Sequence, residues 1–232
     1  AWHWLFFLPS AAACEIGVDG HPKRGGFLPP VPLPRRMWAG SSIRFLSPLY
    51  VGDEVNKTSV IEDVVHKQGA TGELVFVKVL HRIYRGELLA IEEQQDLVYR
   101  EASPAKTLPP GQLPPGDPQW SREIRPDPVL LFRYSALTFN GHRIHYDRDY
   151  AQNTENYAGL VVQGPLTATL LLDLLRREMP GAEVGYFCFR GMRPLLDTAA
   201  FRVQGMCEGK TARLWALDAD GFMAMDAEVT LV

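Results

Sequence analysis

Residues 132–147 read FRYSALTFNGHRIHYD and bring Asn140, His142 and His145 within six positions of one another. An imidazole titrates near neutral pH and can take and return a proton, which makes His145 a candidate general base. Asn140 cannot transfer protons, but its amide oxygen can accept a hydrogen bond from a water and hold it against His145. A five-residue separation does not place two side chains on one helical face, so the chain must turn between them. Gly141 is the residue expected to permit that turn. His142 and His145 also form an HxxH pair with Asp147 and Asp149 nearby, which raises a metal site. No second ligand cluster is evident along the chain, so neither a metal nor a cofactor is expected and His142 is assigned to shaping the loop. Ser41, Ser42 and Ser135 sit in no nucleophile-elbow pattern, which argues against serine hydrolase chemistry.

These side chains need a scaffold. Pro128 suits a first helical turn and residues 128–137 carry apolar side chains at helical spacing, predicting a helix just ahead of the loop. Asp147 is expected to cap a short helix running to about residue 157, with Gly159 ending it. Gly164-Pro165 then opens a helix over 166–177 that is apolar nearly all round and so must be buried. Four strand patterns follow, at 184–193, 200–207, 212–217 and 222–231, with Asp220-Gly221 a hairpin signal. Strand patterns also occupy 41–46, 54–66, 73–84 and 88–99, punctuated by glycines at 52, 69, 72 and 86. Residues 102–119 hold six prolines and hardly any apolar side chains, the composition of a linker. Residues 17–34 are Gly/Pro-rich and are expected to form an extended loop lying over the surface. Residues 1–8 are apolar without alternation, like the end of a buried helix. The pattern predicts an α+β chain of two halves, 1–101 and 120–232, joined by the 102–119 linker. Each half would be an antiparallel sheet wrapped round a central apolar helix, together a double hot-dog.

Composition narrows the partners. With 24 Lys+Arg against 27 Asp+Glu the net charge is −3, so there is no basic field for a nucleic-acid backbone. Three scattered cysteines and no CxxC favour a reducing compartment over a disulfide framework. Residues 5–8 and 10–14 superficially resemble a lipoprotein-type leader, but no Lys or Arg precedes them. The stretch 160–175 is interrupted by Gln163, Pro165 and Asp173 and is too short to span a bilayer. The expectation is a cytoplasmic protein, mitochondrial if eukaryotic, that forms a homo-oligomer, most simply a dimer.

The run Asn140-Gly141-His142-Arg143-Ile144-His145 resembles the loop of the MaoC-like (R)-specific enoyl-thioester hydratases: an acidic residue, any residue, Asn, Pro, an aliphatic and His. Ile144 and His145 fit; Asn140 stands where that family usually has Asp, and His142-Arg143 replace Asn-Pro. TFNGHRIHYD is more similar to the double hot-dog branch of type 2 hydroxyacyl-thioester dehydratases and mesaconyl-C4-CoA or itaconyl-CoA hydratases, in which Asn is the rule. Gln163-Gly164 matches the His-Gly or Gln-Gly step that opens the family's central helix, and residues 48–53 match a PL-x-x-GD turn. The resemblance implies an acyl-CoA or acyl-carrier-protein thioester substrate and a site in the C-terminal half, the N-terminal half walling the acyl pocket. Hydration then needs an amide to stabilise the thioester oxyanion, a role that falls to Gly164 at the helix N-terminus. His142, Arg143, Gln163 and Arg36 are candidate substrate contacts, while Arg35, Arg148, Arg190 and Arg193 are further candidates for phosphate or carboxylate. Two rivals stand beside this reading: a hot-dog acyl-CoA thioesterase, which would want a carboxylate where Asn140 and Gln163 are amides, and a non-catalytic acyl-thioester binding module.

Overall fold

The computed structural model describes residues 2–8, 10–69, 72–102 and 111–232. Its frame is a single antiparallel sheet of nine strands. The N-terminal half supplies β1 (Arg35–Phe45), β2 (Val55–Gly69), β3 (Gly72–Arg85) and β4 (Leu88–Arg100). The C-terminal half supplies β5 (Trp120–Ile124), β6 (Val184–Gly191), β7 (Phe201–Glu208), β8 (Thr211–Leu217) and β9 (Met223–Leu231). Their order is β2-β3-β4-β1-β6-β9-β8-β7-β5. The two expected sheets are therefore one. They fuse where β1 pairs antiparallel with β6, from Gly40 opposite Arg190 to Arg44 opposite Tyr186. Gly40 belongs there because a Cβ on it would lie 2.3 Å from the Phe189 carbonyl oxygen. All eight predicted strands form; the ninth, β5, was not anticipated, being five residues that emerge straight from a proline-rich run.

Helix α1 (Pro128–Thr138) starts as its sequence dictates, with Pro128 in the first turn and the Asp127 carboxylate accepting from Leu130 N–H at 2.7 Å. It ends on Phe139 in the left-handed region, φ +52°. Helix α2 (Gly164–Glu178) runs over the sheet against β5, β7, β8, β9 and β1. Every α2 residue through Leu175 is buried or half-buried, and only Arg176, Arg177 and Glu178 reach solvent. Burying each of Leu166, Leu171, Leu174 and Leu175 stabilises the fold by about 1.5–3 kcal/mol. Among the described residues no helix is long and apolar enough to cross a membrane.

The halves differ in what covers the sheet. The C-terminal half has its central helix. Among the described residues of the N-terminal half, the helical elements are short 3-10 turns, Trp2–Leu5 and Ala13–Glu15. The expectation of a central helix in each half thus holds for one. The Trp2–Leu5 turn is anchored through His3 and Trp4, whose ring nitrogens reach the buried Glu93 of β4 at 2.8 and 3.0 Å. The 102–119 linker lies partly outside the described residues. Its later part follows the sheet, with Gln112 O accepting from Met223 N–H and Gln119 N–H donating to Gly205 O.

Candidate active site

The loop after α1 carries the candidate base. His145 closes the 3-10 turn Arg143–His145 and is 7% exposed. Its Nδ1 lies 2.7 Å from the Val161 carbonyl, which can only accept, so the proton resides on Nδ1 and the Nε2 lone pair is left for chemistry. Burial pushes the imidazole down to about 4, opposed in part by the Val161 hydrogen bond. A second bond, Val161 N–H to Ile144 O at 3.0 Å, ties the loop to the strap that leads into α2. That strap ends at Gly164, whose amide belongs to the first helical turn and has no acceptor within the helix. A Cβ on Gly164 would meet only Met225 Cε, at 4.0 Å.

Asn140 is held on both sides. Its backbone N–H donates to Ser135 O at 2.8 Å, and its Oδ1 accepts from His142 N–H at 3.1 Å. One lone pair of that oxygen is thus committed to the loop. The turn itself does not use Gly141, whose φ is outside the left-handed region; Phe139 makes it. Gly141 is glycine for another reason: its Cβ would lie 2.4 Å from the Gly20 carbonyl oxygen. Gly20, at φ +88°, is equally constrained, since its Cβ would lie 1.8 Å from Gly141 O.

The start of residues 17–34 lies over the surface as expected, with Val18 84% exposed, but it is not extended. The Gly17–Pro22 stretch folds back, with Gly17 N–H on His21 O at 2.7 Å, and docks on the loop. Arg143 N–H donates to Asp19 O at 2.9 Å, and the Arg143 guanidinium to Val18 O at 3.1 Å. His21 thereby arrives 4.2 Å from His142, ring centroid to centroid, and His142 lies 5.4 Å from His145. Three imidazoles stand in a row. Asp19 accepts from His21 N–H with one oxygen and contacts His21 Nδ1 with the other, both at 3.0 Å. Burial raises Asp19, yet the bonds and charge of His21 outweigh it and hold the carboxyl well below its usual range. Burial lowers His21, and lowers His142 to about 2 with help from the two flanking imidazoles. The positive charge of Arg36, on β1, depresses both His21 and His142.

Asp19 and His21 were not singled out in the sequence. Their local signal, an Asp and a His flanking a glycine, describes a turn and says nothing of residue 142. They also present the metal-like grouping that HxxH suggested elsewhere: Asp19, His21 and His142 offer ligand atoms within 4.8 Å of one another. Asp147 belongs to no such group, being paired with Arg143 at 2.7 Å and capping Tyr150 N–H at 3.0 Å.

The other candidates are placed as follows. Arg143 is tied to Asp147 and lies 4.3 Å over the Tyr150 ring, a clamp rather than an open cation. Gln163 is fully buried and donates to Leu131 O at 2.9 Å and Ser135 Oγ at 3.0 Å, pinning α1 to the start of α2. Arg35 pairs with Glu155, Arg148 with Asp197 and Arg193 with Asp218.

The chain matches the family model for hydroxyacyl-thioester dehydratase type 2 over residues 1–197. It is 50% identical over 231 residues to the mesaconyl-C(4)-CoA hydratase of Chloroflexus aurantiacus, covering 99% of this chain and 82% of that protein. It is 29% identical over 242 residues to the mitochondrial hydroxyacyl-thioester dehydratase type 2 of Schizosaccharomyces pombe, covering 92% and 78%. A MaoC-like dehydratase from Phytophthora capsici superposes with a TM-score of 0.69 at 14% identity, covering 85% of this chain and 69% of that one.

Proposed function

This chain belongs to the hydroxyacyl-thioester dehydratase type 2 family of hydro-lyases, and we propose that it hydrates a short dicarboxylic enoyl-CoA of the mesaconyl type. The observation that carries the reading is His145, locked by Val161 O with its Nε2 lone pair unprotonated, on a loop tied to the strap that leads to Gly164 at the start of α2. In the forward direction His145 Nε2 takes a proton from water as the water oxygen bonds to the β-carbon. The electron pair of the double bond moves to the thioester oxygen, where the Gly164 amide and the positive end of α2 stabilise it. The enolate collapses as the imidazolium proton reaches the α-carbon, and the base is restored. The remaining lone pair of Asn140 Oδ1 holds the water. Gln163 supports the site by fixing α1 against α2. The mesaconyl preference rests on the identity to the Chloroflexus enzyme.

The base lies in the C-terminal half, 120–232, and the N-terminal half, 1–101, serves as the wall of the acyl pocket and lends Asp19 and His21. A homodimer in a reducing, cytoplasmic setting completes the reading. The three cysteines are free thiols, and α1 turns Val129, Phe132 and Leu137 to solvent, an apolar stripe that a second copy would cover. The test is an absorbance assay at the enoyl-thioester band with mesaconyl-C4-, itaconyl- and crotonyl-CoA. Loss of the band without free thiol is the expected result. Thiol release would identify a thioesterase, and binding without turnover an acyl-thioester binding module.

A further inference from the structure

We propose that Asp19, His21 and His142 bind a divalent transition-metal cation, zinc by preference, which clips the docked Gly17–Pro22 turn onto the loop that carries His145. Two ligands come from the turn and one from the loop, so the site exists only because Gly20 and Gly141 let the two backbones touch. Each residue offers one ligand atom, and the three atoms lie within 4.8 Å of one another. Among the described residues this is the one grouping of three His, Cys, Asp or Glu side chains so disposed. Zinc holds nitrogen and oxygen ligands at about 2.0–2.2 Å, which sets neighbouring ligands about 3–3.5 Å apart. Asp19 Oδ2 and His21 Nδ1 already stand 3.0 Å apart. The ion takes the place of the hydrogen between them, and the His21 proton moves to Nε2, so the ring stays neutral. His142, its ring centroid 4.2 Å from that of His21, supplies the third ligand.

The backbone sets the ligands in place before an ion arrives. Gly17 N–H on His21 O closes the turn at 2.7 Å, Arg143 N–H on Asp19 O ties it to the loop at 2.9 Å, and Asn140 Oδ1 accepts from His142 N–H at 3.1 Å. Little ordering is left for the ion to impose. The ligand types choose among cations: two imidazoles and one carboxylate suit zinc, whereas magnesium and calcium demand oxygens. The ionised Asp19 supplies the negative charge, and each of its oxygens keeps a lone pair beyond its contact with His21. Arg36 opposes a cation, since both imidazoles feel its charge, but it forms no hydrogen bond or ion pair with them. Three protein ligands leave a fourth position to water. The His142 ring lies 5.4 Å from that of His145, so the ion's charge disfavours the imidazolium that His145 becomes on taking a proton. A filled site therefore slows hydration. That consequence rests on the role given to His145 above; the binding does not.

The test titrates zinc into the chain, first freed of metal with a chelator, by calorimetry and by thermal melts. One equivalent should bind with a Kd of about 10 μM or tighter, short of a four-ligand structural site. The melting temperature should rise as the site fills, because the ion binds the folded state. Asp19→Asn, His21→Gln and His142→Gln should each weaken binding by more than the roughly 10–100-fold that loss of an outer-shell partner costs. Metal-free melts check that each variant folds. His66→Gln removes the exposed His66–Glu73 pair and Cys14→Ser the exposed thiol; both should bind as the wild type does. No saturable binding overturns the site, as does binding that is lost in those surface variants and kept in the three site variants. Should a site variant fail to fold, zinc-dependent shifts of the assigned His21 and His142 ring nitrogens in wild-type NMR spectra decide, and shifts confined to other residues overturn the assignment. At buffered free zinc, hydration of mesaconyl-C4-CoA should fall in step with occupancy; an undiminished rate with the site filled overturns its placement beside His145. A wild type that binds zinc yet hydrates no enoyl-CoA would sink the hydratase reading and leave the metal site standing.

Discussion

Two buried polar clusters, one in each half, use the same residue types to opposite ends. In the N-terminal half Glu93 is 2% exposed and its two oxygens accept from Ser41 Oγ at 2.8 Å, Gln95 Nε2 at 3.1 Å and the Trp4 and His3 ring nitrogens. Burial raises this carboxyl, but the His3, Ser41 and Trp4 contacts outweigh it and keep it ionised. Its acceptor capacity is filled. In the C-terminal half His145 is as deeply buried, but one ring nitrogen is tied to Val161 O and the other keeps its lone pair. Saturation of its carboxylate makes the first cluster a fastener; the second leaves open the Nε2 lone pair on which the proposed proton transfer relies. Burial, charge and the presence of histidine do not separate structure from chemistry here. Nor does an unpartnered ring nitrogen, since His3 Nδ1 is buried without a partner as well; what sets the first cluster apart is that its carboxylate is fully engaged.

That contrast can be broken at either end. His145→Ala should lower kcat by about 10²–10⁴-fold, the usual contribution of a positioned acid-base group, while the folded state persists by circular dichroism. A variant with wild-type turnover would remove His145 from the mechanism. Glu93→Ala should do the reverse. It strands several buried donors and should lose about 3–5 kcal/mol in denaturant unfolding, with kcat per folded molecule within about 2-fold of wild type. A large kcat effect without lost stability would make Glu93 part of the chemistry and erase the distinction.

Gly20→Ala sharpens the comparison where the halves meet. The methyl cannot coexist with Gly141 O, and φ +88° is strained for alanine, so the Asp19 and His21 segment must lift. A stability loss of about 1–3 kcal/mol is expected by chemical denaturation, together with a drop in kcat/KM. Unchanged kinetics would show that the docked segment is not needed at the site. The smallest effect is the pH response. His145, pushed down to about 4, stays neutral through the physiological range, so the acid limb of kcat/KM should lie near pH 4. A limb near pH 6.5 would mean that the imidazole is wetter than its surroundings imply. The same groups set stability. The unfolded chain binds protons from about pH 6.5 downward, whereas folded His142 and His145 resist them, so stability should decline as pH falls from about 6.5 toward 4.

How much of this was legible beforehand differs by element. The eight longer strands carry β-branched and aromatic residues between glycine turns; seven formed close to their expected bounds, and β1 starts at Arg35, six residues ahead of expectation. β5 did not announce itself, because Trp120 to Ile124 becomes a strand only by pairing with β7. Helix α1 was signalled by Pro128 and the apolar spacing after it, and α2 by Gly164-Pro165 ahead of a leucine-rich run; the Asp127 cap is visible only in the structure. The sequence suggests a hinge at Gly141 because glycine permits unusual φ, whereas its lack of a side chain serves a close approach by a chain segment far away in sequence.

The sequence alone determined the pieces that depend on neighbours along the chain: strand alternation, helix starts, and the loop from Asn140 to His145 with its candidate base. Tertiary structure alone decided which groups surround that base. The Val18 carbonyl accepts from the Arg143 guanidinium across 125 positions, and with it come Asp19 and His21. Such pairing has no periodicity to read, since it arises from two backbones touching where neither residue has a Cβ. The tautomer of His145 is likewise a tertiary fact, set by a carbonyl 16 positions on. Local pattern specifies what a segment can become; only packing specifies which lone pairs and charges remain unspoken for when it gets there.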